Sequence, residues 1–261
     1  FIFFIGLYDD KNNISPNLKL LFCTIIILIG LSFDDNLIIK QLFFHSISKT
    51  IYLNYLALPI TTLCILLLIN ALNMSDGINS LSVGNVIIWI FGILIHDFIN
   101  DKFIFIIFLL FLIFIFLMIY KSKFFLGDNG TMFLATFIGL IIIFAHNVSI
   151  NSNPIPADLI FIILMFPGFD MLRLFIIRIL NKKNPFKGDL NHLHHHLMRK
   201  FNLNYSLFIY LSFSLTPIII SKIYENYLII IIFSVLSYLI LLSYLFSNVS
   251  KPPNSFETKD L

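Results

Sequence analysis

Four short polar stretches interrupt an otherwise apolar chain, and their residue types suit work on a metal ion and a phosphate. The most telling is Phe124-Phe125-Leu126-Gly127-Asp128-Asn129-Gly130, which lies between two apolar runs. Gly127 and Gly130 permit tight backbone paths and close approach by a ligand. Asp128 supplies a hard oxygen of the kind Mg²⁺ prefers. A second stretch, Asn70-Ala71-Leu72-Asn73-Met74-Ser75-Asp76-Gly77-Ile78-Asn79-Ser80, puts polar groups at a period of three at the end of an apolar run. Polar groups at membrane depth are costly and face a cavity or a partner. Asp9-Asp10 is a third acidic spot; as adjacent carboxylates at a membrane surface they can position a metal or accept a proton, or form a solvated helix end.

The densest stretch runs from Asn184 to His196 and holds four histidines within five residues, His192, His194, His195 and His196. On a helix, His192 and His196 share a face with His195. Such a face can donate to phosphate oxygens or bind a transition metal. Zinc is the runner-up chemistry, because the carboxylates elsewhere suit magnesium better. Asp170 and Arg173, three apart, read either as an ion pair on one helix or as shapers of a cavity. His45, His96 and His146 are isolated and carry no argument. Asp34-Asp35 shows that aspartate pairs also arise here without a role.

These residues have to be positioned by membrane helices. The chain has 261 residues, of which 59% are hydrophobic and 12% charged. Soluble domains carry roughly a quarter charged residues, so that class is excluded. Cys23 and Cys64 fall inside apolar runs and imply no disulfide framework. Eight complete spans are expected, at 18–33, 55–72, 81–96, 103–120, 131–147, 157–177, 205–221 and 227–246, after an apolar stub at 1–8. Runs of this kind read as helices, because hydrocarbon offers the backbone no hydrogen-bond partners. They lack the alternation of barrel strands. The expected fold is all-α, a polytopic transmembrane helical bundle. Residues 1–247 form the integral membrane domain and 248–261 a disordered tail. The stub is too short to span ~30 Å of hydrocarbon, so earlier helices are expected upstream.

Placing residues 9–19 inside puts twelve lysines and arginines in inner segments against four outside, as the positive-inside rule requires. The same assignment brings Asp9, Asp10, Asp76, Asp128 and the histidines to the cytoplasmic side, although the charge count does not demand it.

The set Gly-Leu-x-Asp-Asp…Ser-Pro-x-x-Lys, Asn-x-x-Asp-Gly, Phe-Leu-Gly-Asp-x-Gly and His-x-His-His-His, in this order, resembles the polyprenyl-phosphate N-acetylhexosamine-1-phosphate transferases of glycosyltransferase family 4, over residues 5 to about 200. The family includes enzymes that start O-antigen and enterobacterial common antigen, the teichoic-acid linkage enzyme and the peptidoglycan translocase. The resemblance implies transfer of a sugar 1-phosphate from a UDP-N-acetylhexosamine to undecaprenyl phosphate with release of UMP. It implies Mg²⁺, with Mn²⁺ as substitute, and a bacterial inner (plasma) membrane location with the active site cytoplasmic. The lipid bilayer is then a partner, nucleic acid is not, and a homodimer is compatible.

Carried over by motif, Asp9, Asp10, Asp76 and His195 are the catalytic candidates. Asn73, Asn79, Lys187, His192, His194 and His196 are the substrate-binding ones, and Asp128 with Asn73 the metal ones. Lys182, Lys183 and Lys187 are expected to help hold the diphosphate. The chain departs from the commoner Asp-Gly-x-Asp-Gly middle motif: Asn79 stands at the second acid and Ser80 at the following glycine. An amide keeps an oxygen ligand and loses the charge. A transporter would need ionisable groups near the midplane, whereas these cluster at one surface. A metal-binding membrane protein would explain the histidines but not the aspartates.

Overall fold

The computed structural model describes residues 1–12, 14–100, 102–121, 126–149, 154–185 and 190–247. The expected spans all fall on helices. In chain order these are α1 (Ile2–Asn12), α2 (Pro16–Leu31), α3 (Ala57–Met74), α4 (Leu81–Ile95), α5 (Lys102–Lys121), α6 (Gly127–Ser149), α7 (Ala157–Leu180), α8 (Leu193–Lys200), α9 (Leu203–Ile223) and α10 (Tyr227–Ser247). Among the described residues, six helices are long and apolar enough to cross a membrane; α2 and α4 are shorter apolar helices. The stub is α1, and α8 carries most of the histidine stretch. The chain is a multi-pass membrane protein. The expected tail at 248–261 lies outside the described residues.

Two neighbouring helices show how burial sorts the bundle. α4 is 15 residues long, or ~22 Å at 1.5 Å per residue, too short to meet both lipid surfaces. It is sheathed by protein instead: Val83, Val86, Trp89, Ile90 and Ile93 are fully buried. α5 has the highest hydropathy of the spans and buries only Leu112 and Ile119. Most of its apolar side chains face outward, as suits a helix facing lipid, and one stripe of Phe108, Leu109, Leu112, Ile115, Phe116 and Ile119 packs on the core.

α6 lies between α1 and α3. Gly6 allows that approach, because a Cβ there would overlap the backbone of Asn129 at the start of α6. The crossing therefore delivers Asp9 and Asp10, one turn further along α1, to the N-terminus of α6.

The connection from α2 to α3 contains an antiparallel hairpin that the sequence reading does not anticipate. β1 (Gln41–Phe44) pairs with β2 (Lys49–Tyr52), Gln41 opposite Tyr52 and Phe44 opposite Lys49. Asp158 accepts from Ser46 N at 2.9 Å and Ser46 Oγ at 2.7 Å, which ties the hairpin tip to α7. The His146 ring lies 2.9 Å from the carbonyls of both Ile155 and Gln41. His146 thus has a structural partner on each side, at the end of the bundle away from Asp9, Asp76 and Asp128.

Candidate active site

The Asp9, Asp76, Asp128 and histidine stretches converge at one end of the bundle. Pro16 occupies the first turn of α2, where its missing N–H costs nothing and its fixed φ favours helix. Lys19, one turn on, thereby faces α1 and α6. Its ammonium lies 2.8 Å from Asp9 Oδ2 and also contacts Asp128 Oδ2. The Asn73 carboxamide satisfies its neighbours in one orientation: its nitrogen donates to Thr131 Oγ1 at 2.9 Å and Asp128 Oδ1 at 2.8 Å, and its oxygen accepts from Lys19 at 3.2 Å. Asp9 Oδ1 accepts from Ile14 N at 2.6 Å.

Asp76 sits in the turn after α3. It accepts from Ser82 Oγ at 2.5 Å and from Gly127 N at 2.9 Å, linking the α3–α4 turn to the start of α6. Burial pushes its carboxyl up to about 6, and the neighbouring Asp128 carboxylate acts in the same direction. Gly127 has φ +74°, so a side chain there would be strained. Asp10 accepts from the N–H groups of Asp128 at 3.0 Å and Asn129 at 3.4 Å. It thus caps the first turn of α6, where a carboxylate also meets the positive end of the helix dipole.

Three of the four histidine rings cluster, with centroids 5.4 Å apart for His192 and His194 and 4.2 Å for His194 and His195, while His196 leaves the group. His192 is the N-cap residue of α8, not part of its helical face. Its Nδ1 donates to Asp170 Oδ2 at 2.8 Å, since a carboxylate can only accept. His194 is buried beneath the Asp76 turn, and a Cβ on Gly77 would overlap its Nε2. His195 lines the cavity. Burial brings its imidazole down to about 4. Burial also lowers His194 well below the ordinary value. His196 turns the other way and stacks edge-on against Phe246 of α10, centroids 4.6 Å apart. The reason is the fully buried pair Leu193 and Leu197. They fix the core face of α8, and the position three after Leu193 falls on that face.

A cavity of about 310 Å³ opens among these groups. Its polar wall carries Asp9, Lys19, Asn73, Asp76, His192 and His195. Its other wall is Leu20 and Cys23 of α2 with Leu66 and Ile69 of α3. A charged headgroup and an apolar chain can therefore occupy one continuous space. Asp128 lies at its edge through Lys19 and Asn73. Asp10, Asn79, His194 and His196 do not line it, so the geometry gives them no direct contact with an occupant. Lys182 and Lys183 follow the end of α7 and do not line it either. Lys187 lies outside the described residues.

Two residues matter more than the sequence reading allowed. Lys19 stands in the Ser-Pro-x-x-Lys stretch, but nothing in its spacing shows that it faces two aspartates. Asp170 is 3% exposed and holds the entry to α8. Besides His192, it accepts from Leu193 N at 3.0 Å, Tyr238 OH at 2.9 Å and Arg173 at 2.8 Å. Arg173 in turn donates to Asn191 O at 2.6 Å. The ion pair and the cavity-shaping role are both present, because the pair fastens the histidine stretch.

Residues 1–146 match the sequence profile of glycosyl transferase family 4. Over 211 residues the chain is 29% identical to a "Probable undecaprenyl-phosphate N-acetylglucosaminyl 1-phosphate transferase" of Bacillus subtilis (strain 168), covering 76% of this chain and 55% of the relative. Over 216 residues it is 26% identical to an "Undecaprenyl-phosphate alpha-N-acetylglucosaminyl 1-phosphate transferase" of Thermotoga maritima, covering 82% of this chain and 64% of the relative. The chain thus spans between half and two thirds of the length of these curated relatives. The matched region contains α1 to α5 and all but the last residues of α6, and with them every residue around Lys19 and Asp128; the chain belongs to glycosyl transferase family 4.

Proposed function

We propose that this protein transfers a sugar 1-phosphate of the N-acetylhexosamine class from a UDP-sugar to undecaprenyl phosphate, releasing UMP. The step would occur at the cytoplasmic face of a bacterial plasma membrane, as the first membrane step of an envelope polysaccharide. The observation that carries this reading is the cavity with a wall of carboxylates, Lys19 and two histidines on one side and an apolar wall between α2 and α3 on the other. A lipid phosphate needs both. The relatives' printed activities support the same reading.

The family resemblance implies Mg²⁺, and the residues fit it in kind. Asp128 would hold it, with Asp9 and the Asn73 oxygen as neighbouring donors. Among the described residues no three His, Cys, Asp or Glu side chains form one metal-binding group. That leaves most ligand positions to phosphate oxygens and water, the arrangement Mg²⁺ favours; Mn²⁺ would accept the same donors. When bound, such an ion offsets negative charge on the diphosphate and on departing UMP.

The chain's own groups supply the rest. An acceptor phosphate oxygen attacks the β-phosphorus of the UDP-sugar. The bond to the UMP oxygen breaks as the new diphosphate bond forms. An acceptor phosphate is already a nucleophile, which supports direct attack over a covalent aspartyl intermediate. Asp9, fixed by Ile14 N–H, holds Lys19 beside the place the acceptor would take. His195, neutral at pH 7, can donate an N–H to a phosphate oxygen. Asp76 fixes the start of α6 and so the position of Asp128.

The His192, His194 and His195 rings pack together, but His192 Nδ1 is taken by Asp170 and His194 Nε2 faces Gly77, and among the described residues the histidines form no metal-binding group. The reading is tested by incubating the full chain in membranes with undecaprenyl phosphate and a panel of UDP-N-acetylhexosamines. Lipid-dependent UMP release is expected with at least one donor. No release with any of them contradicts the reading.

A further inference from the structure

Among the described residues lining the cavity, Lys19 is the only lysine or arginine. Its ammonium meets oxygens from three different elements: Asp9 on α1, Asn73 on α3 and Asp128 on α6. That is how a small cation is held by oxygen donors, except that the cation belongs to the chain. The side chains of Lys19, Asp9 and Asp128 are 17%, 11% and 28% exposed, so solvent screens them less than a surface pair. Without a cation between them, the two carboxylates would repel each other. A divalent ion on Asp128 would need oxygens that Lys19 now occupies. Lysine carries its charge on a flexible four-carbon stem, and the cavity beside it gives the ammonium another place to go.

We propose that Lys19 is an exchangeable internal counterion, neutralising Asp9 and Asp128 while no divalent cation is bound and turning to the incoming phosphate when one takes its place. This deepens the function proposed above and rests on its metal reading. It makes Lys19 work twice. It keeps the site assembled between turnovers, and it adds a positive charge to the phosphate once the ion has the carboxylates. It also makes Lys19 a competitor of the metal in the absence of substrate.

The test uses the full chain in lipid nanodiscs and compares the wild type with Lys19→Met and, as a control, Lys11→Met on the exposed end of α1. Thermal unfolding is measured in EDTA and with Mn²⁺, and Mn²⁺ binding is followed by its electron paramagnetic resonance signal. In EDTA, Lys19→Met should unfold about 5 °C lower than the wild type, and Mn²⁺ should restore most of the difference. Without substrate, Lys19→Met should bind Mn²⁺ about tenfold more tightly, and Lys11→Met should match the wild type in every arm. Equal unfolding temperatures in EDTA would overturn the counterion role whatever the metal does. Lower stability with unchanged or weaker Mn²⁺ affinity would overturn the exchange. Mn²⁺ binding to none of the proteins would overturn the metal reading and the exchange with it; the EDTA arm distinguishes that outcome from a failure of Lys19 alone.

Discussion

Asp170 Oδ2 and His192 Nδ1 are 2.8 Å apart although 22 residues separate them in the chain. This bond crosses from a membrane helix to the loop that carries the histidines, and it sets where His195 points. Asp170→Asn keeps an acceptor for Leu193 N–H and loses the charge that faces Arg173 and His192. UMP release should fall about 10- to 100-fold, mainly in kcat, with binding of the UDP-sugar little changed. Wild-type kinetics would show that the bond does not position the site.

Gly77 and His194 interlock the middle motif with the histidine stretch. Gly77→Ala places a methyl on His194 Nε2 and should destabilise the protein by about 1–3 kcal/mol. Gly77→Ala with His194→Ala should be less unstable than the sum of the two single changes, because the second makes room for the first. Additive losses in thermal unfolding would mean the two positions are independent.

Ser80 occupies the left-handed region at φ +67°, where a side chain costs roughly 1 kcal/mol. Its Oγ recovers part of that by donating to Phe116 O at 3.0 Å. Ser80→Ala keeps the strain and loses the bond, whereas Ser80→Gly loses the bond and the strain. The glycine variant should be more stable than the alanine variant by about 1 kcal/mol. Chemical unfolding of the two side by side checks the order.

The His195 imidazole is held down to about 4 by burial, against 6.5 in an unfolded chain. Between those values the unfolded chain binds a proton that the folded chain refuses. The contribution is therefore complete above about pH 6.5 and is lost as pH falls toward 4. Asp76, raised to about 6, works in the opposite sense, its folded form gaining a proton first as pH falls. His195→Gln should flatten the acid loss of thermal stability between pH 6.5 and 4. An unchanged slope would place the titration elsewhere.

The helices were legible because long apolar runs have one way to satisfy their backbone in hydrocarbon, and all expected spans fall on helices. The gathering of the four motifs followed from loop charge and alternation, neither of which needs atomic detail. What stayed hidden depends on tertiary packing. His196 was expected on the same face as His192, but Leu193 and Leu197 claim the core face of α8 and take His196 with them. Asp10 looked equivalent to Asp9, and only the crossing at Gly6 shows that one faces Lys19 and the other the first turn of α6. The β1–β2 hairpin is too short to leave a clear alternating pattern. Lys19 sat in view inside a recognised motif, and its role depends on two aspartates 10 and 109 residues away.

Asp128 meets Lys19 and Asn73 beside the cavity, at the centre of the proposed reaction site. Its most direct test is UMP release from UDP-N-acetylglucosamine and undecaprenyl phosphate by Asp128→Asn, an isosteric change that removes the charge. A folded Asp128→Asn protein should release UMP at least about a hundredfold more slowly than the wild type. UMP release near the wild-type rate from that protein would contradict the assignment of this cluster as the place where the diphosphate reacts.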